Sequence, residues 1–314
     1  MPANLTADYL EAERDYKSAA TQAEKVAALE RMLATLPKHK GTEKMQADIK
    51  RRLSQARKEV QKKGGHQATP FYLIEKEGAG QVALVGPPNS GKSQLVCALT
   101  HATPEVADYP FTTRMPTPGM MLFEDVQIQL IDLPPLSNEF MEQWLPQAIR
   151  AAHMSVLALD VNDIAVLDEI EFILGVIESR RLAPPKLVVG NKVDLPGAAD
   201  NFEALEELYR GRFPMLGVSA LTGEGLDRFR RAVFDALDIV RVYTKVPGRK
   251  FEFTTPYILK RGKTVADAAA HVHKDFAERL KFARLFRLTG GDRDGLMVER
   301  SHVVADRDIL EFHI

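Results

Sequence analysis

The sequence predicts an α/β protein built on a doubly wound, mainly parallel sheet, with a helical hairpin before it and a small α+β module after it. Between residues 81 and 240, short apolar runs of strand type alternate with helical stripes. Such alternation favours parallel strands joined by right-handed helical crossovers. Before this region apolar residues recur at helical spacing, and after it short strand-like runs surround one helix. The expected division is 1–66, 67–240 and 241–314.

Residues 6–62 read as helix. Val26, Leu29, Leu33 and Leu36 form one stripe, and Met45, Ile49, Leu53, Ala56 and Val60 form a second. Spacings of three and four place each set on one helical face. Pro37 and Gly41 interrupt the two stripes, and Thr42 is suited to cap the second helix. Residues 38–63 hold ten Lys/Arg against three Asp/Glu. That charge fits either a solvated helix face or an arm that binds a polyanion. Gly64 and Gly65 end the segment, and residues 66–80 read as a connector.

In the middle region Gln81–Val85 is a buried strand that ends at a glycine loop. Residues 91–101 are helical, and Met120–Phe123 with Val126–Ile131 form a hairpin. A helix is expected over 138–150, a buried strand over Met154–Asp160 and a helix over 164–180. Leu187–Gly190 and Met215–Val218 read as strands, 201–210 and 223–239 as helices. Ligands of such sheets sit at the carboxyl ends of the strands. In the last region Arg241–Val246, Tyr257–Leu259, Leu285–Leu288 and Ile309–Ile314 are strand-like. They surround one helix over Val265–Phe276, with Thr264 as its N-cap.

The 314 residues, 45% hydrophobic and 27% charged, have an ordinary globular balance that excludes a disordered or collagen-like chain. No apolar run is long enough for a membrane helix, and the acidic, polar start is unlike a signal peptide. The single cysteine, Cys97, cannot form an internal disulfide and reads as a small core residue on a helix. A cytoplasmic location is expected. The net charge of −1 conceals an asymmetry: about +5 over 1–66, −11 over 67–240 and +5 over 241–314. Basic ends on an acidic middle suit a polyanionic partner such as RNA, and solvated surface charge explains them nearly as well.

The chemistry lies in four short runs. Gly86-Pro87-Pro88-Asn89-Ser90-Gly91-Lys92-Ser93 matches G-x-x-x-x-G-K-[ST] between a strand and a helix. Backbone N–H groups of such a loop wrap phosphates, and the helix N-terminus adds a positive dipole end. Gly86, Pro88, Asn89, Ser90, Gly91, Lys92, Ser93 and Gln94 are therefore candidate phosphate-binding positions. Lys92 is expected on the β- and γ-phosphates and Ser93 on Mg²⁺. Asp132, at the end of the 126–131 strand, is placed to hold the same ion. Asn191-Lys192-Val193-Asp194 follows another buried strand. The Asp194 carboxylate can accept from guanine N1 and its exocyclic amine, which adenine does not offer, so an ATPase is disfavoured. Asn191 would tie this loop to the phosphate loop, and Lys192 would lie along the base. Ser219-Ala220-Leu221 ends the last strand, where a backbone N–H can reach guanine O6.

Together these runs resemble a Ras-like GTPase of the translation-factor class. Asn89 and the run Asp108-Tyr109-Pro110-Phe111-Thr112-Thr113 narrow the likeness to Obg-related GTPases. The head run Lys38–Lys44 and the tail resemble the developmentally regulated GTP-binding (DRG) branch. The tail is similar to a TGS domain, a ubiquitin-like β-grasp module, through Thr264-Val265-Ala266-Asp267, Val272–Phe276 and Leu280–Arg284. The resemblance implies GTP and GDP as ligands, with Mg²⁺ held by Ser93, Thr113 and Asp132. It implies catalytic roles for Thr113, Lys92 and Asn89, Thr113 being the switch threonine that closes on Mg²⁺ and the γ-phosphate. Asn89 would help hold K⁺ or serve as a loop-stabilising side chain. A ribosome or RNA partner, a protein cofactor and no membrane association are also implied.

Two departures stand out. DRG proteins of eukaryotes carry a small inserted domain inside the GTPase core, but only 77 positions separate Thr113 from Gly190. The family's D-x-P-G is here Asp132-Leu133-Pro134-Pro135, so proline replaces the glycine whose N–H senses the γ-phosphate. Proline has no N–H and fixes φ. Leu136 follows, and an apolar residue there is expected of Obg-like proteins. The sequence therefore supports a GTP-hydrolysing switch and, as an alternative, a nucleotide-binding interaction module that hardly turns over.

Overall fold

The computed structural model describes residues 7–19, 22–36, 42–63, 70–100, 115–138, 141–249, 251, 255–287 and 295–314. The chain forms two compact units, Met1–Pro70 and Phe71–Ile314. The first contains α1 (Ala7–Ser18), α2 (Gln22–Thr35) and α3 (Glu43–Lys63). The two apolar stripes lie on α2 and α3, and α1 is a third helix that adds Tyr9 and Ala12 to a small core of Leu29, Met32, Leu36, Ile49 and Leu53. Thr42 immediately precedes α3, and its carbonyl accepts the Gln46 N–H at 2.9 Å. Pro37–Gly41 lies outside the described residues.

The second unit begins with a six-stranded sheet. Its elements are β1 (Gln81–Val85), α4 (Lys92–Leu99), β2 (Thr117–Phe123), β3 (Val126–Asp132), α5 (Leu145–Ala151), β4 (Met154–Asp160), α6 (Val166–Ser179), β5 (Leu187–Asn191), α7 (Ala198–Leu208), β6 (Met215–Gly217) and α8 (Leu226–Ala236). The strand order is β2-β3-β1-β4-β5-β6, with only β2 antiparallel to its neighbour. One face packs on α4 and α8 through Leu95, Val96, Phe229 and Val233. The other packs on α5 and α6 through Leu145, Ile149, Ile170 and Ile173. Burial on both faces explains why β1 and β4 read as unbroken apolar runs rather than alternating ones. Because β1 lies between β3 and β4, the connections leave it in opposite directions and open a crevice at its carboxyl end.

Two boundaries differ from the sequence pattern. Helix α5 begins at Leu145 and not at 138. Pro146 fits a first helical turn but would remove an interior hydrogen bond from a helix started one or two turns earlier. Helix α8 ends at Ala236, and Asp238 turns the chain with a left-handed φ of 56°. Ile239 thereby enters the next sheet.

That second sheet contains β7 (Ile239–Thr244), β8 (Tyr257–Lys260), α9 (Val265–Val272), α10 (Lys274–Arg279), β9 (Phe282–Phe286), β10 (Leu296–Val298) and β11 (Asp308–His313). Its order is β10-β9-β11-β7-β8, with β7 and β11 parallel. Helix α9 packs Val265, Ala268 and Ala269 against Val240, Val242 and Leu310. Thr264 and Asp267 close a reciprocal capping box at its start. The single helix expected over 265–276 is split at His273, whose extended backbone lets its ring accept the Asp275 N–H.

The two sheets are joined by Arg241, which is 1% exposed. Its guanidinium bonds Glu124 at 2.5 Å and Asp125 at 2.6 Å in the β2–β3 turn, and Asp306 at 2.7 Å before β11. Arg307 also reaches Glu124, and the Tyr243 hydroxyl donates to Asp125. Burial alone would raise the three carboxyl groups, but the arginines, and for Asp125 first the Tyr243 hydroxyl, outweigh it and hold all three below their ordinary range. The Arg241 plane also lies 4.8 Å from the Phe234 ring centre. Replacing Arg241 by Met leaves three acids without their common cation, which costs about 3 kcal/mol. Urea unfolding of the full chain should show that loss near neutral pH. Depressed folded-state carboxyls stabilise above the ordinary carboxylate range and lose their contribution as pH falls through it. The deficit of R241M should therefore shrink in acid.

Candidate nucleotide-binding site

The glycine loop lies at the carboxyl end of β1 and runs into α4. A Cβ on Gly86 would sit 2.1 Å from the Ala158 carbonyl oxygen of β4, so only glycine permits this approach. Gly91 has φ 83°, and a Cβ there would meet the Asn191 amide at 2.2 Å. Asn89, at φ 58°, supplies a second left-handed position. Buried Ser90 donates to the Pro87 carbonyl at 3.0 Å, while Pro88, Asn89, Ser93 and Gln94 are exposed. They border a cleft of about 640 Å³ lined also by Gly91, Lys92, Leu133, Pro135 and Lys192. Loop N–H groups and the α4 N-terminus make such a cleft favourable for anions.

Lys92 is buried, and its ammonium donates to Pro87 O at 2.7 Å, Gly86 O at 3.1 Å and Ser90 Oγ at 3.2 Å. Burial lowers its pKa to about 8, with Asp132 and Glu169 offsetting only part of the effect. A cation so poorly compensated gains from an arriving phosphate.

Ser93 opens α4, and its hydroxyl donates to Asp132 Oδ2 at 2.5 Å. The other carboxylate oxygen, Asp132 Oδ1, is buried with no hydrogen-bond partner among the described residues. Burial raises the Asp132 pKa, opposed by the Ser93 bond and by Lys92. A hydroxyl and a half-satisfied buried carboxylate are a hard oxygen donor set of the kind Mg²⁺ takes. Thr113, the third expected ligand, and the run Asp108–Thr113 lie outside the described residues.

The base-side loops meet the phosphate loop through Asn191, which is 1% exposed. Its amide donates to Ser90 O at 3.0 Å, and its carbonyl accepts the Ala220 N–H at 3.1 Å. The tie to the phosphate loop is as expected from the sequence. That N–H of Ala220 is thereby engaged, whereas the Leu221 N–H has no acceptor among the described residues. Buried Ser219 is fixed by the bond from its N–H to Glu224 O, and its hydroxyl accepts the Thr222 N–H. Lys192 has φ 66° and pairs with Asp160 at 2.6 Å. Its carbonyl accepts from Asn162 at 3.2 Å. Asp194, half-buried, follows in a turn held by the bond from Val193 N–H to Val218 O.

Three partners were missed from the sequence. Asp160 ends the apolar β4 run and Asn162 follows in the turn after it, a position that could have flagged both. The Leu136 N–H donates to Gly86 O at 3.0 Å, pinning the chain after Pro135 to the phosphate loop. Leu133 and Leu136 are both buried on either side of the two prolines.

The family described as "50S ribosome-binding GTPase" matches residues 81–192, and the TGS domain matches 240–314. A GTP-binding protein of Methanocaldococcus jannaschii is 27% identical over 366 aligned positions, covering 91% of each chain. That alignment is longer than this chain of 314, so the relative has segments with no counterpart here. Developmentally-regulated G-protein 1 of Arabidopsis thaliana is 24% identical, covering 83% of each chain. Ribosome-interacting GTPase 1 of Saccharomyces cerevisiae is also 24% identical, covering 92% of this chain and 98% of its own. No helix among the described residues is long and apolar enough to cross a membrane. The chain thus carries a GTPase domain of the "50S ribosome-binding GTPase" type followed by a TGS domain, and its relatives are DRG-type and Obg-like GTP-binding proteins.

Proposed function

We propose that the protein is a GTP-dependent switch acting on the ribosome, with slow intrinsic hydrolysis of GTP to GDP and phosphate. The observation that carries this is the Asn191 tie: one buried amide joins the phosphate loop to the loops that flank Asp194 and Ser219. The name of the yeast relative supports the ribosome as partner, and the basic head and the TGS sheet supply docking surfaces. Lys92 and the loop N–H groups bind the phosphates, and Asp194 reads the guanine edge. Ser93, Asp132 and Thr113 would hold Mg²⁺, which neutralises charge on the β- and γ-phosphates when bound. Asn89 borders the cleft where K⁺ would add a further positive charge against the transferring phosphoryl group. Ribosome co-sedimentation with GTP, with GDP and without nucleotide tests the whole reading, and equal sedimentation in all three would refute a switch.

A second reading, a nucleotide-binding module with little turnover, is favoured by one observation. Pro135 has no N–H, and the next donor, Leu136, is already spent on Gly86 O. The segment that usually senses the γ-phosphate has no free donor at either position. Pro135→Gly should restore one, raising GTP preference over GDP by about tenfold, the worth of one hydrogen bond to a charged group. Single-turnover hydrolysis with Mg²⁺ should accelerate alongside, and K⁺ in place of Na⁺ should accelerate both proteins. Fast hydrolysis by the unmodified protein would eliminate the second reading.

Base recognition has its own test. Asp194→Asn should weaken GTP and GDP binding about ten- to a hundredfold and shift preference toward xanthine nucleotides. Comparable ATP and GTP affinities in the unmodified protein would remove Asp194 from the base site.

Lys92 links binding to pH. Its free-state pKa of about 8 rises when phosphates arrive, so the complex binds more protons than the free protein above that pH. GDP affinity should therefore fall as pH rises through 8. Calorimetry in buffers of different ionisation enthalpy should show proton uptake there, after the titration of guanine itself is subtracted.

A further inference from the structure

A second cavity, of about 500 Å³, opens away from the nucleotide cleft, where β7 and β8 meet the GTPase domain. Leu237, Ile239 and Ile258 give it an apolar wall, and Lys186, Lys260 and His153 line it with cationic and N–H donor groups. The acids that share the lining already have partners. Asp238 pairs with Arg261 at 2.9 Å, and Asp267 pairs with Lys263 at 3.1 Å while closing the α9 capping box. Lys186 donates to the Ala236 carbonyl at 3.0 Å, a neutral acceptor that leaves its charge unbalanced. Lys260 makes no ion pair among the described residues. The His153 Nδ1 accepts the Gln81 N–H at 2.9 Å, which puts the proton of the neutral ring on Nε2. Burial, and then the charges of Lys76 and Lys260, hold this imidazole below its ordinary pKa. The lining thus carries three lysines against two aspartates, and both aspartates are already held by a neighbouring base, which leaves Lys186 and Lys260 without a carboxylate partner among the described residues.

We propose that this seam cavity is a binding site for an organic phosphate of nucleotide size, with the phosphate on Lys186, Lys260 and the His153 Nε2–H and the body against Leu237, Ile239 and Ile258. Point cations and an N–H donor suit a phosphate dianion. The volume falls in the range of small-molecule sites, and the apolar wall would stay wet under inorganic phosphate alone. The ligand is either a free nucleotide or the terminal nucleotide of an RNA strand, since both present the same phosphate and body. Its lining comes from both sheets of the unit, so occupancy would also brace the joint at Arg241. The proposal concerns a different cavity from the GTP site and does not rest on the reading above.

The test uses the full chain saturated with GDP and Mg²⁺, so that the first cleft is filled. The His153 imidazole, assigned with His153→Gln, is followed by NMR against AMP, inorganic phosphate and a short RNA bearing a terminal phosphate. AMP or the RNA should move the His153 titration upward, because a bound anion favours the imidazolium. Lys260→Ala and Lys186→Ala should each weaken that binding about tenfold, as expected for loss of a charged hydrogen bond, while GDP affinity stays unchanged. Tighter binding of the RNA than of AMP identifies a strand end as occupant, and the reverse identifies a free nucleotide. A His153 titration unmoved by millimolar AMP and by RNA overturns the proposal. So does inorganic phosphate binding as tightly as AMP, or binding that both lysine variants leave intact.

Discussion

The site depends on one buried amide. Asn191 donates to the phosphate loop and accepts from the Ser219–Leu221 loop, so three segments distant in sequence share a single side chain. Two other features follow from it. Gly91 must be glycine, because any Cβ would occupy the space of the Asn191 nitrogen. Ser90 must present its carbonyl inward, which turns the neighbouring loop toward the cleft. Removal of the amide would leave a buried N–H and a buried C=O without partners, each costing about 1–3 kcal/mol. The phosphate and base halves of the site are therefore one structural object.

Around that tie the site holds charges that the protein alone does not balance. Lys92 is buried with carbonyl and hydroxyl acceptors, and Asp132 is buried with one oxygen unpartnered among the described residues. Burial moves both pKa values toward the neutral forms, downward for the lysine and upward for the aspartate. Water is a poor substitute partner in such a place, whereas a phosphate and a divalent ion satisfy both groups at once. The binding energy is stored as incomplete solvation in the free protein and released when the ligand completes it.

The parts of the site that were legible in the sequence are those carried by contiguous runs. Gly86–Ser93 and Asn191–Asp194 each place donors, acceptors and turn geometry within a few residues, and a strand before each run fixes its position at a sheet edge. The parts that were not legible join distant residues. Arg241 meets Glu124 and Asp125 across 117 and 116 positions, and no local pattern distinguishes it from a surface arginine in a strand. Helix boundaries failed where a side chain competed with the backbone. His273 lies within an apolar stripe that continues to Phe276, yet its ring caps the next helix and breaks the stripe. The over-long helix at 138–150 is a different case, since Pro146 was visible and its preference for a first turn would have corrected the start. The helical reading of 6–62 includes α1 but does not set it apart as a third helix, because its buried face rests on Tyr9 and Ala12 rather than on an aliphatic row.

The Arg241 joint constrains how a change at the nucleotide could travel. Hairpin β2–β3 is held at its turn by Arg241 and Arg307, and β3 ends at Asp132 beside the phosphate loop. Strand β3 is also in register with β1, Leu84 facing Asp132. Sliding the hairpin along β1, by even one residue, would drag Glu124 and Asp125 off a guanidinium that is itself buried. It would also exchange the two faces that both strands present to the helix layers. Motion confined to the hairpin is therefore costly, and motion of hairpin and TGS sheet together is cheaper, because it leaves the ion cluster intact. At its Asp132 end, the segment from Leu133 to Leu136 has buried leucines on both sides of a proline pair and an N–H fixed on Gly86. A stiff segment directly after Asp132 transmits displacement rather than absorbing it. A shift of Asp132 would then reach the TGS sheet as a rigid-body tilt about Arg241, without requiring the Leu133–Leu136 segment to refold.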